Sequence, residues 1–201
     1  MVRATPMRHS VSDLSDLIRD RRTIQPKDFT DRVVQRDVVE RVLGNGTWAP
    51  THGMTQPWRF KVFAGDARQR LSTFMGEEYT RLTTPEKFLP RKFENVTQRP
   101  LQSSVVVALG MARDPKGKIS DLEEQLAMAC AVQNMHLTCA AYGLGAFWGT
   151  GAAATGEGMR RFLGLAEGDR CMGLFFMGYP AVEWPKGYRK PLPDVMEWFD
   201  R

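Results

Sequence analysis

The chain lacks the short signatures that would name its chemistry at once. No GxGxxG, Walker loop, GxSxG or HExxH motif and no carboxylate cluster occurs in its 201 residues. The simplest dinucleotide, P-loop, serine-hydrolase and zinc-protease readings therefore go. Cysteine is sparse: Cys130, Cys139 and Cys171 stand apart among apolar neighbours, with no CxxC and no metal-ligand spacing. That pattern predicts no disulfide framework and no bound metal, and a reducing cytoplasm is the expected compartment. No run approaches the ~20 apolar residues of a membrane span. The N-terminal segment carries Arg3 and Arg8 without a signal-peptide apolar core, so neither secretion nor membrane insertion is expected.

What is present fits one soluble domain. A 201-residue chain can bury roughly 70% of its unfolded surface without metal or disulfide staples. With 42% hydrophobic and 25% charged residues, it falls outside the disordered and fibrous classes. The net charge of +5 favours anionic partners, but basic and acidic residues are interspersed along most of the chain. Nucleic acid is thus a minor option, kept alive by the basic stretch between Leu82 and Gln102. There is no domain linker, internal repeat or low-complexity segment, and residues 1–11 read as a flexible terminus.

Periodicity predicts the elements. Ser12 can cap a helix carrying Leu14, Leu17 and Ile18 and ending near Arg21-Arg22. A second helix is expected over Gln35 to Leu43, stopped by Gly44-Asn45-Gly46. Trp58 to Phe63 alternates apolar and basic residues, the mark of a strand with one face covered, and Gly65-Asp66 turns the chain into a further helix. Prolines 85, 90 and 100 interrupt the stretch from Leu82 to Gln102, which reads as a partly helical insertion or lid. Ser104 to Met111 is a continuous apolar run suited to the middle of a doubly covered sheet. Ser120-Asp121-Leu122-Glu123 has the form of a capping box and opens a helix to Ala141, apolar around most of its girth, fit for a domain centre or a subunit seam. A short strand at Ala146 to Trp148, a helix from Thr155 to Leu163 and a buried strand from Cys171 to Tyr179 complete the order. Without strict βαβ alternation, this pattern predicts an α+β fold with a central mixed, mainly antiparallel sheet flanked by helices.

Arg21-Arg22-Thr23 stands at the first helix exit, where paired guanidinium groups can grip a phosphate or simply complement the helix dipole. Trp48-Ala49-Pro50-Thr51-His52-Gly53-Met54-Thr55-Gln56-Pro57-Trp58 gathers aromatics, a histidine and an amide around turn residues. Of the three histidines, only His52 has a loop setting typical of sites; His136 sits in the apolar helix, where a core role is favoured over a catalytic one. Trp58 and Phe60 read as core packing, and for Trp48 packing is preferred over a substrate platform.

These segments, followed by Phe147-Trp148-Gly149-Thr150-Gly151 and by Gly178-Tyr179-Pro180 with Arg189, resemble the ordered landmarks of the nitroreductase family. The likeness is greatest to its short, bacterial YdjA-like branch and spans about residues 13 to 192. The resemblance implies an FMN-binding homodimer with flavin in clefts at the subunit interface and NADH or NADPH as donor. It implies Arg21, Thr23 and Arg189 on the flavin phosphate, with Arg22 alongside. It sets Gln56 on the pyrimidine edge, His52 beside the ring from the partner subunit, and Trp148-Gly149-Thr150 close to the cofactor. No side chain need act as an obligatory acid or base, because the flavin N5 carries the chemistry.

Two departures stand out. Where the family often has a cation two residues beyond its Arg-Arg-Ser element, this chain has Gln25, so the flavin potential is expected to be lower unless Lys27 or His52 substitutes. Gly149 stands where related sequences often carry arginine or lysine, removing the phosphate or dimer contacts of that side chain. The expected activity is a ping-pong reductase passing electrons from NAD(P)H to a small flat aromatic acceptor such as a nitroaromatic or quinone. A flavin-binding protein with a sensing, storage or assembly role is the alternative.

Overall fold

The computed structural model describes residues 9–200, and the expectation of a flexible terminus falls largely on residues outside that range. At its centre lies strand β2 (Val105–Met111), every residue of which is buried. It sits between β1 (Trp58–Ala64) and β4 (Arg170–Gly178), with β3 (Gly145–Gly149) beyond β4. All three pairings are antiparallel, with Val107 opposite Val62 and Phe175, and Ala146 opposite Met177. The mixed character comes from a single parallel bridge between Thr23 and Ala146 on the outer edge of β3.

The apolar run of β2 is continuous because both faces of the sheet are covered. Val105, Val107, Leu109 and Met111 point into one core, with Val39 and Val42 of α2 (Arg36–Gly46) and Met128, Ala131, Val132 and Met135 of α5 (Asp121–Ala141). Val106 and Ala108 point into a second core, with Leu71 and Met75 of α3 (Ala67–Leu82), Ala153 and Ala154 of α6 (Ala152–Thr155) and Met159 of α7 (Glu157–Phe162). Each fully buried Leu or Met contributes roughly 1.5–3 kcal/mol. Trp58 and Phe60 pack on the first core, as expected, whereas Trp48 is 86% exposed and belongs to neither core.

The capping box forms as expected, the Ser120 hydroxyl accepting from the Glu123 N–H while the Glu123 carboxylate accepts from the Ser120 N–H. Helix α1 (Val11–Asp20) is capped by Ser10, whose hydroxyl accepts from the Asp13 N–H at 3.2 Å, and not by Ser12. Helix α2 passes through Gly44 and ends at Gly46, where an added Cβ would lie 2.9 Å from Met135 Cγ; close packing on α5, rather than a glycine stop, explains that residue. The helix expected from Thr155 to Leu163 forms as α7, starting after Gly156, whose extended backbone separates it from the short α6.

The prolines of the basic stretch are absorbed rather than disruptive. Pro90 opens α4 (Pro90–Gln102) at a position where a missing N–H costs nothing, and Pro100 falls in its last turn. The Ser72 hydroxyl donates to the Thr97 carbonyl at 2.7 Å, and Tyr79 meets Phe88 edge-on at 5.4 Å, so this segment is packed against α3.

Candidate functional site

Helix α1 ends as the Arg21 N–H donates to the Leu17 carbonyl at 3.1 Å. The chain then runs extended beside β3, with the Ile24 N–H donating to the Ala146 carbonyl at 3.1 Å and the Ile24 side chain buried. Arg21, Arg22 and Thr23 are thereby held where the helix meets the sheet edge. From the other end of the chain, the Trp184 indole N–H donates to the Asp20 carbonyl, and Arg22 Nε donates to the Pro185 carbonyl at 2.8 Å. This docking brings Arg189 to Arg21 around a cleft of about 460 Å3, which Arg22, Ile18 and Gln133 also line.

The cleft is a concentration of uncompensated positive charge. Among the described residues no carboxylate pairs with Arg21, Arg22 or Arg189. Burial, then the charges of Arg189 and Arg22, depress the pKa of Arg21. A guanidinium stays charged even so, and such a group gains most from an anion with several acceptor oxygens. The three arginines are not equivalent. Arg22 also donates to the carbonyls of Arg19 and Arg21, so most of its donors are spent on backbone. Gly187 admits this clamp, since a Cβ there would lie 2.2 Å from an Arg22 terminal nitrogen. Thr23 is exposed beside the cleft, on the backbone bridge to Ala146.

His52 and Gln56 lie elsewhere. They belong to a loop in which Gly53, Met54 and Gln56 all have positive φ (58°, 54° and 45°). Non-glycine residues accept that region at a cost, and such strain collects where surroundings over-determine a functional loop. Here Thr51 supplies the constraint, its hydroxyl 3.1 Å from that of Thr55 and accepting from the Gln56 N–H at 3.2 Å. His52 Nδ1 lies 2.5 Å from Glu123 Oε1, at the start of α5, and this bond together with those from Ser120 depresses the Glu123 pKa. Ten residues of helix, about 15 Å of rise, separate Glu123 from Gln133 of the guanidinium cleft. One chain therefore does not bring His52 and Gln56 into that cleft.

The third segment divides. Trp148 is half-buried against the first core, and its indole N–H donates to the Met172 carbonyl at 2.9 Å, so its one donor is committed to β4. Gly149 and Gly151 border a second cavity, while Thr150 is exposed between them. Gln25 shares a further cavity with Lys27 and Arg99; of Lys27 and His52, the two residues named as substitutes, only Lys27 is beside it.

Sequence reasoning missed Trp184, Pro185 and Gly187, which dock the tail, and Arg99 of α4. An aromatic and proline followed by glycine just before Arg189 was the available signal for the first group. His136 is a core residue, edge-on to Phe175 at 4.8 Å, with burial first and Arg21 second lowering its pKa to about 4. The buried thiols of Cys139 and Cys171 are pushed up to about 12 and about 11 by burial and are not nucleophiles. Among the described residues no helix is long and apolar enough to cross a membrane.

Comparison with known proteins identifies the family and the fold. "Putative NAD(P)H nitroreductase YdjA" of Escherichia coli (strain K12) is 24% identical over 155 residues, covering 77% of this chain and 82% of that protein. A solved nitroreductase-like family protein from Bacillus cereus superposes with TM-score 0.80 at 26% identity, covering 98% of this chain and 100% of its own. The FMN and NADPH-dependent nitroreductase NfnB from sphigopyxis sp. strain HMH has the same fold, with TM-score 0.73 at 19% identity over 93% of this chain and 99% of that one. Residues 18–179 match the model of the Nitroreductase family, and the chain belongs to that family.

Proposed function

We propose that the protein is an NAD(P)H-dependent FMN oxidoreductase acting as a homodimer. The observation that carries this reading is the guanidinium cleft, built from both ends of the chain and unpaired with any described carboxylate. It fits the flavin phosphate, a near-dianion that paired N–H donors satisfy. Arg21 and Arg189 would hold that phosphate, the Thr23 hydroxyl would add a bond, and Arg22 would keep the tail in place. Gly149 and Thr150 would lie against the ring, where absence of a side chain at Gly149 allows backbone approach.

His52 and Gln56 reach a flavin only if a second chain supplies them, which accords with a site at a subunit interface. Support for that interface comes from apolar surface left uncovered in one chain. Leu14 and Ile18 of α1 are 52% and 49% exposed, and Leu122 and Leu126 of α5 are 64% and 56% exposed. Exposed apolar side chains on two neighbouring helices are the kind of surface that association covers.

When bound, FMN supplies the redox chemistry, taking hydride at N5 from NADH or NADPH and passing electrons to a nitroaromatic, quinone or similar flat acceptor in ping-pong order. The protein's part is to hold donor and acceptor at short distance and exclude water. The test is a visible spectrum of the purified protein before and after adding FMN, then anaerobic mixing with NADPH. Flavin bands that stay with the protein once unbound FMN is removed, and that bleach and return with acceptor, are expected; a protein that retains no flavin after that removal ends the proposal.

A further inference from the structure

A cavity of about 490 Å3 lies between α3, α4 and the turn after β3, in the size range of small-molecule sites. It is separate from the guanidinium cleft, and none of its lining residues is shared with it. Met75, Val96, Leu174 and Phe176 give it apolar walls, and among the described residues the only charged groups lining it are Lys92 and Arg99. Among the described residues no carboxylate lines it.

Arg99 is the unusual member. It is half-buried, its guanidinium carbon stands 4.8 Å from the centre of the Phe147 ring, and its side chain makes no hydrogen bond or ion pair among the described residues. Glu94 lines the neighbouring cavity that Arg99 and Asn95 also border, but forms no ion pair with Arg99. Burial accordingly lowers the pKa of this arginine, with no neighbouring charge to offset the loss of hydration. Its backbone is fixed, since the Ser103 hydroxyl donates to the Arg99 carbonyl at 2.8 Å. A stacked, planar fork of unanswered donors at the edge of an apolar slot matches one planar anion better than a phosphate, which needs more donors than this wall offers.

We propose that this cavity binds a flat aromatic carboxylate, its ring among Met75, Val96, Leu174 and Phe176 and its carboxylate accepting from Arg99. Gly149 and Gly151 form part of its wall, so on the flavin reading above the site selects acceptors that carry a carboxylate; the binding itself does not depend on that reading. The exposed Lys92 adds attraction for the anion.

The test uses the full chain with FMN added and no reductant, titrated calorimetrically with 4-nitrobenzoate and with nitrobenzene. The benzoate is expected to bind about tenfold or more tightly, the worth of a charge-assisted hydrogen bond. Arg99→Gln should abolish that preference, Arg99→Lys should keep only part of it, and Ala152→Phe, at an exposed wall position, should weaken both ligands. Unchanged melting of each variant establishes that it is folded. Equal affinity for the two ligands overturns the proposal, as does benzoate binding that survives Arg99→Gln but vanishes in Arg21→Gln. Desalting the same samples separates the two readings: Arg99-dependent binding by protein that retains no flavin leaves the cavity assignment standing and removes the flavoenzyme.

Discussion

The Arg22 Nε–H donates to the carbonyl oxygen of Pro185 at 2.8 Å, joining groups 163 residues apart and holding the C-terminal tail on the end of α1. Arg22→Ala is therefore expected to release the tail and carry Arg189 out of the cleft. Flavin affinity should fall about tenfold, in line with lost charge-assisted bonds. Limited proteolysis should cut beyond Pro180 faster than in the native protein. Arg22→Lys should rescue little, because one ammonium cannot reproduce the fork.

Arg189→Gln tests the cleft itself. Arg189 is the leading charge that depresses Arg21, so its removal relieves repulsion in the flavin-free protein. The free variant should melt no lower than the native protein, while its stabilisation by excess FMN shrinks, since that gain follows the logarithm of ligand over Kd. A variant that loses stability without FMN and keeps the full gain with it would contradict an anion site.

His136 makes stability depend on pH. Burial, with Arg21 second, lowers its pKa from 6.5 to about 4, so between those values the unfolded chain takes up a proton that the native state refuses. The contribution is fully present above about pH 6.5 and is lost as pH falls toward about 4, by up to ~3 kcal/mol. Urea midpoints at about pH 7 and about pH 4.5 should converge in His136→Leu relative to the native protein.

Gly173→Ala should be among the most damaging small changes. Gly173 has φ 117°, and a Cβ there would lie 2.4 Å from the Gly149 carbonyl oxygen and 2.8 Å from Trp148 Nε1. The substitution strains β4 and pushes β3 away where the Trp148 bond to Met172 forms, at a cost of about 3 kcal/mol or more. Thermal unfolding measures it, and quenching or shift of tryptophan fluorescence reports the displaced indole.

Leu14→Glu addresses the proposed dimer. The side chain is 52% exposed on α1, a helix none of whose residues is buried, so the single subunit should fold unchanged. Sedimentation is expected to show a shift toward monomer, and flavin content should fall with it, since His52 and Gln56 would then be absent from the cleft.

Much of the fold was legible because its signals are local. The Ser120–Glu123 capping box closes within one helical turn, and the unbroken apolar run of β2 already states that both its faces are covered. Local signals can also miss by a residue or two: Ser12 falls inside α1, and only the completed backbone shows that the Ser10 hydroxyl is the one that reaches an N–H. The glycines of α2 misled for a related reason, since Gly46 answers to Met135 on another helix rather than to its own chain. The residue types of the site, arginines, a loop histidine and a glutamine, were likewise readable. Their grouping was not.

By itself, then, the order of residues determined most of the helices and strands, their α+β arrangement and the placing of a pair of arginines at the exit of α1. Only the tertiary structure decided that Arg22 clamps the tail, that Arg189 joins Arg21, that His52 is held by Glu123 away from them, and that Arg99 stands unanswered beside an apolar cavity. Periodicity and capping act over a few residues, so a linear pattern carries them. Hydrogen bonds and repulsions between groups more than a hundred positions apart depend on how packed elements bring the chain back on itself, and no short pattern encodes that meeting.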